Sequence, residues 1–465
     1  MNIKQRRTNY LKNVLEKSIS IFFSGFAPQK SADQNYPFVV NRNFFYLTNI
    51  DQENSCLVLV KGEDKEEAFL FIEETDPVKA LWDGSGYTFT EASGLSNINI
   101  ENIKDIKTLD QFLHGLFQAS RRALFGELNY VYFDLEKYRD ETYTTKYQKT
   151  FTNKYPFLQV KSNHLILANL RTVKDEIEIE NLKKAIDITK DALEVLMKNL
   201  TPNLNEAEVE ALYNYELNKK QSAPSFDTIC ASGKNATILH YVDNNEIIND
   251  NELLLLDLGA LYNNYASDIT RTYPANGKYS ERQKEVYEVV LEANKKTIEW
   301  LKPGKTLQEF NEFGKQILIN GAKKLGLIKN DEEITKYYYH SLGHYLGLDV
   351  HDVGDYTKPI PVGAIITVEP GLYIAEENIG IRIEDDILIT EDGGINLSSH
   401  IIKEVKDIEA YMKKWLNSLF FYKVKYKNFF YHKVGGKENE IYFICLNVYI
   451  IIIFNTTNNI CLICL

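Results

Sequence analysis

Four carboxylates and one imidazole stand out in the C-terminal half of the chain. They are Asp257 in LLLLDLG, Asp268 in ASDITRT, His344 in HSLGHYLG, Glu369 in TVEPGLY and Glu384 in GIRIEDD. Hard oxygen donors with a single nitrogen suit a pair of divalent cations such as Mn²⁺ better than a thiolate zinc site would. Two such cations held about 3.5–4 Å apart can ionise a bridging water and polarise a carbonyl, which is what amide hydrolysis needs.

Local patterns set out how these residues could meet. Asp257 and Asp268 flank Asn263-Asn264, a turn signal. With those two residues as a hairpin loop, Asp257 lies opposite Thr270. Asp268 is then its diagonal neighbour on the same face, about 7–8 Å away. Leucines at 253–256 predict a buried strand, and a buried carboxylate without a partner is costly enough to want a cation. Positions 379, 381, 383, 387 and 389 are all isoleucine, so period-two alternation puts Arg382 and Glu384 together on the other face. Glu384, Asp385 and Asp386 crowd negative charge that a cation would relieve. Glu369 ends the run AIITVE before Pro370-Gly371, a turn signal that leaves the carboxylate at a strand end. His340, His344 and His351 are three of the eight histidines, packed into twelve residues. Gly343 and Gly347 argue against a regular helix through them. His240, in ILHY, is a fourth candidate.

The rest of the chain must position these groups. A length of 465 residues predicts two domains, and 44% apolar content can fill their cores. A net charge of −12 without a long basic run argues against nucleic acid as the main partner. Arg6-Arg7 and Arg121-Arg122 read as solvated surface pairs. The first residues lack a signal-peptide core, and Cys56 and Cys230 suit reduced, buried thiols, so a cytoplasmic protein is expected. Asn235-Ala236-Thr237 then matches a glycosylation acceptor by coincidence.

Residues 1–165 read as a small α/β domain. A helical opening extends through residues 11–16, strands follow in SISIFFSG, SCLVLVKG and EAFLFIEE, and a helix spans 104–118. Residues 131–155 read as a surface helix leading to a boundary. A second domain, 170–413, opens with one long amphipathic helix over 170–200, with Ile177, Ile179, Leu182, Ala185, Ile188, Ala192 and Val195 on its apolar face. Further helices are expected near 205–219, 280–301 and 306–326. Strands are expected near 227–231, 252–258 and 264–273, and again within 363–390. Their irregular interleaving predicts an α+β fold with a mixed or antiparallel sheet. Residues 414–465 form an atypical apolar tail. Its run IYFICLNVYIIIIF, at 14 residues, is too short to cross a bilayer comfortably, so no firm membrane association is expected. Cys461 and Cys464 have CxxC spacing without a second pair, which argues against zinc.

FDTICASGKNATILHYVDN, LLLLDLGALYNNYASDITRTYP, HSLGHYLGLDVHDVG, ITVEPGLYI and GIRIEDDILIT, in this order and spacing, resemble the metallopeptidases of the pita-bread fold. That group includes aminopeptidase P, prolidase and methionine aminopeptidase. The resemblance covers residues 1–413, and NRNFFYLTNI resembles the N-terminal domain of aminopeptidase P. It implies a pita-bread catalytic domain after a smaller α/β domain. It also implies that Asp257, Asp268, His344, Glu369 and Glu384 are metal ligands, with Asp268 and Glu384 shared by two divalent ions, most simply Mn²⁺. Glu369, His240, His351 and Arg382 would be catalytic. His240, His340 and His351 would meet the substrate, with His340 supporting the proline pocket. Ser341 stands where the family more often has glycine. The implied activity is release of the first residue from peptides with proline second, through a hydroxide bridging the metals. The alternatives are a prolidase confined to Xaa-Pro dipeptides and a non-catalytic pita-bread module that binds peptides. A homo-oligomer, dimer or tetramer, is expected.

Overall fold

Two apolar runs near the N-terminus organise the first sheet. Ser18–Phe23 and Cys56–Lys61 pair antiparallel, with Ile19 opposite Val60 and Ile21 opposite Val58. The computed structural model describes residues 3–74, 77–118, 124–136, 141–413, 442–446 and 449–453. The first sheet is mixed and has the spatial order Ile103–Asp105, Glu66–Ile72, Cys56–Lys61, Ser18–Phe23, Tyr130–Phe133, Gln159–Ser162. Ser18–Phe23 is buried along its whole length because both faces are covered. Ile19 and Ile21 join a core with Phe112 and Phe151. On the other face Tyr10 meets Phe22 and donates to Ser20 Oγ.

The second half is built from antiparallel pairs. Leu253–Leu258 runs between Ile269–Pro274 and Ile229–Ser232, and Asp257 stands opposite Thr270, the expected register. Asn263 and Asn264 both have positive φ, 47° and 65°, between the short strands Leu261–Tyr262 and Tyr265–Ala266. That is the conformation of a two-residue hairpin turn with the twist strands prefer. Ile365–Val368 pairs with Asp385–Thr390, which pairs in turn with Gly393–Asn396. Gly371–Ile374 pairs with Ile379–Arg382. The helix Glu281–Trp300 packs on these strands, and Leu307–Lys324 packs on it. Met1–Ile408 forms one unit. In the other, the described residues Tyr442–Leu446 and Tyr449–Ile453 pair antiparallel within the apolar run of the tail. No described helix is long and apolar enough to cross a membrane.

Several elements differ from the sequence reading. The first helix, Ile3–Leu11, stops where it was expected to continue. The helix expected over 104–118 is shorter, Leu109–Leu116, because Ile103–Asp105 joins the sheet edge. Within 131–155, Tyr130–Phe133 is an interior parallel strand and, among the described residues, the helix is confined to Tyr143–Lys154. Aromatic and β-branched residues there favour the pleated surface between two strands. The segment 170–200 is two helices, His164–Thr172 and Glu176–Asn199. Asp175 caps the second by accepting from Ile177 N and Glu178 N, while Glu178 returns a bond to Asp175 N. Its buried face holds Leu182, Ala185, Ile186, Thr189, Ala192 and Leu193, while Ile177 is 48% exposed. The strand expected through 378–390 breaks between Arg382 and Asp385 and serves two sheets, so Arg382 and Glu384 are buried along with the isoleucines.

Arg6 and Arg7 are buried, not solvated. Arg6 pairs with Asp175 and Glu178. Arg7 donates to Leu47 O, Ser96 O and Asn97 O, carbonyls at two helix C-termini where a cation is favoured. Arg121, Arg122, Cys461 and Cys464 lie outside the described residues.

The N-terminal sheet region is tied to the second half by buried charge. Arg171 donates to Asn43 Oδ1 at 2.9 Å, to Asp349 Oδ2 at 2.8 Å and to Asp352 Oδ1. Lys174 Nζ reaches Asp352 Oδ2 at 2.9 Å. Arg42 Nε reaches Asp349 Oδ1 at 3.2 Å. His351 sits between the two aspartates. Burial alone would raise Asp352, but Arg171 and Lys174 outweigh it and hold it below the usual carboxylate range. A carboxylate with a depressed folded-state pKa contributes stability above its unfolded value, about 4, which is lost as pH falls through the folded value. Thermal unfolding midpoints should therefore drop below about pH 4 in the wild-type protein. Asp352→Asn should cost about 3–5 kcal/mol at pH 7, because two buried cations lose their partner, and its midpoint should vary less with acid.

Candidate metal centre

The ligand candidates come from adjacent strand ends. Asp257 lies near the end of Leu253–Leu258, Glu369 follows Ile365–Val368, and Glu384 lies between Ile379–Arg382 and Asp385–Thr390. His344 enters beside Glu369 because residues 342–346 run along Ile365–Val368. Thr367 N donates to His344 O at 2.9 Å, and Glu369 N donates to Leu342 O at 2.9 Å. This approach requires Gly343, since a Cβ there would lie 2.0 Å from Thr367 O.

Asp268, His344 and Glu384 are buried and offer ligand atoms within 4.8 Å of one another. His344 Nε2 is 3.4 Å from Asp268 Oδ2 and 3.5 Å from Glu369 Oε1. Its Nδ1 faces Tyr345 O at 3.0 Å and can only donate there, so Nε2 is the nitrogen turned to the carboxylates. Thr270 Oγ1 sits 3.0 Å from Asp257 Oδ1 and 2.6 Å from Glu384 Oε2, joining the remaining pair. Arg382 is buried beside them. It donates from Nε to Thr270 Oγ1 at 3.0 Å, from Nη1 to Tyr373 Oη at 3.0 Å, and from Nη2 to Asp257 Oδ2.

His340 and His351 flank the candidate ligands, beside Glu369 and His344 respectively. His340 Nδ1 lies 2.7 Å from Ser341 O and must donate to it, so Nε2 accepts from Tyr373 Oη at 2.8 Å. Donation therefore runs one way, from Arg382 through Tyr373 and His340 to Ser341 O. Burial and the Arg382 charge push His340 down to about 4. The His351 ring lies 4.1 Å from the His344 ring. Burial, with the charges of His344 and His240, lowers His351 to about 4. His240 and His351 are exposed, and the charge of His240 bears on both His340 and His351.

Thr270 and Tyr373 were missed by sequence reading, and no local pattern marks either. Asp386 was noticed only as crowded charge. It is buried and accepts from Asp268 N at 3.3 Å, and its Oδ1 has no hydrogen-bond partner. Asp385 points the other way, into Arg271 and Lys403. One acidic triple thus serves three surroundings.

The donor set fits divalent cations on charge as well as chemistry. Burial raises Asp268 to about 6 and Glu369 to about 7, and lifts Glu384 well above the usual range, with neighbouring carboxylates adding to the effect. Burial would lower His344, but Asp268 and Glu369 outweigh it and raise it to about 9. Arg382 and His344 do not balance the carboxylates, and a cation would. Metal binding favours the deprotonated ligands, so affinity should weaken as pH falls from about 9, where His344 takes up a proton, through about 7 to 6, where Glu369 and Asp268 do. Titrating metal-free protein with Mn²⁺ in buffers of different protonation enthalpy should show net proton release. Absence of release near pH 6 would mean that these carboxyls do not share the cation.

Residues 180–391 match the model of metallopeptidase family M24, and residues 3–125 match the aminopeptidase P N-terminal domain. The Xaa-Pro aminopeptidase of Haemophilus influenzae is 34% identical over 429 residues, 88% of this chain and 96% of that protein. The Escherichia coli Xaa-Pro aminopeptidase is 32% identical over 88% of this chain and 97% of its own length. The structure of Zn-substituted Escherichia coli aminopeptidase P in complex with product superposes with a TM-score of 0.80 at 30% identity, covering 89% of this chain and 98% of that one. The chain therefore belongs to metallopeptidase family M24, with an α+β pita-bread domain behind an aminopeptidase P N-terminal domain.

Proposed function

We infer that this protein is a metal-dependent exopeptidase that releases the first residue of peptides with proline in the second position. The observation that carries this reading is the convergence of four carboxylates and one imidazole at a buried site with too little positive charge of its own. Relatives that are Xaa-Pro aminopeptidases, matched over nearly their full length, support the substrate class. The intact donor set weighs against a non-catalytic peptide-binding module.

Asp257, Asp268, His344, Glu369 and Glu384 would hold two divalent ions, with Mn²⁺ favoured by the hard oxygen donors. When bound, these ions supply a nucleophilic water and polarise the scissile carbonyl. Glu369 borders both the site and the solvent. As a carboxylate it can accept the water's proton and return it to the departing nitrogen. That nitrogen belongs to a tertiary amide and needs the proton to leave as an amine. His351 is neutral at pH 7, so one ring nitrogen can donate to the developing oxyanion, with His240 beside it. His340 has committed both ring nitrogens, so it would offer the proline ring a fixed imidazole face. Arg382 holds Asp257, Thr270 and Tyr373 in place.

The division into 1–165, 170–413 and a 414–465 tail is part of this reading. So are a cytoplasmic location, consistent with the buried thiols Cys56 and Cys230, and a homo-oligomer.

Glu369→Gln should lower kcat about 10²–10⁴-fold, measured with metal content confirmed, since it removes the proton carrier. Wild-type turnover in a metal-loaded variant would overturn that role. An Xaa-Pro-Xaa tripeptide should be cleaved at least as well as the Xaa-Pro dipeptide. Cleavage of the dipeptide alone would make the protein a prolidase.

A further inference from the structure

Glu206 is fully buried, and the groups that hold its carboxylate are five neutral donors. Oε1 accepts from Ser232 N at 2.7 Å, Ser232 Oγ at 2.7 Å and Asn235 Nδ2 at 3.2 Å. Oε2 accepts from Tyr241 Oη at 2.8 Å and Glu246 N at 3.0 Å. Every donor belongs to residues 232–246, the strap that carries His240. Glu206 is the first residue of the helix Glu206–Lys219, so the positive end of the helix dipole favours its charge.

The strap is tied down around this carboxylate. Glu206 N donates to Glu246 O at 3.0 Å, and Asn205 Nδ2 donates to Asn245 O at 2.9 Å. Asn244, at φ 44°, accepts from Cys230 N and donates to Thr228 O and Glu210 Oε2. The strap's other side meets the metal centre. A Cβ on Gly380 would lie 2.0 Å from Ala236 O, so the strap presses on the strand that carries Arg382. Tyr339 Oη donates to Thr237 O at 2.7 Å.

We propose that Glu206 is a positioning residue for His240, its carboxylate fixing the strap so that the imidazole stands at the mouth of the metal centre. This rests on the substrate-facing role given to His240 above. An ionised carboxylate is needed because it only accepts. A glutamine would turn an amide NH₂ toward one set of these donors, facing donor with donor.

The test is a double-mutant cycle on the full, metal-loaded protein with an Xaa-Pro-Xaa peptide. Glu206→Gln should lower kcat/KM about tenfold or more, with the same split between kcat and KM as His240→Ala and with unchanged metal content. The double variant should be no worse than the poorer single one, since both changes remove one function. Tyr241→Phe, which deletes one donor and leaves no opposed amide, should show a smaller loss that also vanishes in the His240→Ala background. It stands in if Glu206→Gln does not fold. Additive losses, or wild-type kcat/KM in folded Glu206→Gln, overturn the role of Glu206. Wild-type kcat/KM in His240→Ala overturns the role of His240 itself, and the positioning role with it.

Discussion

Like charge gathered out of water is the constraint around which this protein is built. Asp257, Asp268, Glu369 and Glu384 repel one another, and burial strengthens that repulsion by removing the solvent that would screen it. A flexible loop could not hold such groups together. Each therefore stands at or beside the end of a strand whose partner is fixed by backbone pairing. Behind them the structure adds specific ties. Asn294, on the helix Glu281–Trp300, donates to Val368 O at 3.0 Å and Ile383 O at 3.3 Å, the carbonyls just before Glu369 and Glu384. Lys403 donates to Asn294 Oδ1 and to Asp385, and Arg271 grips both Asp385 and Glu384 O. The spacing between two candidate ligands thus depends on one amide and two cations that bond to neither side-chain carboxylate.

The same logic links the two halves of the chain. The loop between Asp349 and Asp352 presents His351, and its charges are balanced by Arg171, Lys174 and Arg42. Arg42 opens the helix Arg42–Thr48 of the first sheet region, so that region helps place a histidine beside the metal centre. Arg6 does likewise for Asp175 and Tyr265, near the hairpin that leads to Asp268. The N-terminal region therefore helps to position the site through these ion pairs.

The site was more legible in the sequence than the elements around it. Asn263-Asn264 between apolar strands set the hairpin register, and register alone placed Asp257 opposite Thr270. Glycines at 343 and 347 excluded a helix through the histidines, and the close contact of Gly343 with Thr367 O is the reason. What failed had a common cause. Arg6 and Arg7 looked solvated because their partners, Asp175 and the carbonyls of Leu47 and Ser96, are distant in sequence. Tyr130–Phe133 looked helical because nothing local shows that two other strands enclose it. The break at 173–175 did have a local sign, the Asp175–Glu178 capping pair, which a continuous apolar rhythm concealed.

Buried carboxylates in this chain fall into three kinds, and the difference separates scaffold from chemistry. Glu206 is satisfied by neutral donors. Asp352 and Asp385 are satisfied by fixed cations, and both are held below the usual range despite burial. Asp268, Glu369 and Glu384 have too few of either and are pushed up. A fold that pairs Glu206, Asp352 and Asp385 this thoroughly has the means to pair these as well. It leaves them short of donors and crowded, with Thr270 shared between Glu384 and Asp257 and a single arginine alongside. Such a deficit destabilises the protein alone and is relieved by a divalent ion. The cost of assembling the site thus becomes part of its affinity for metal.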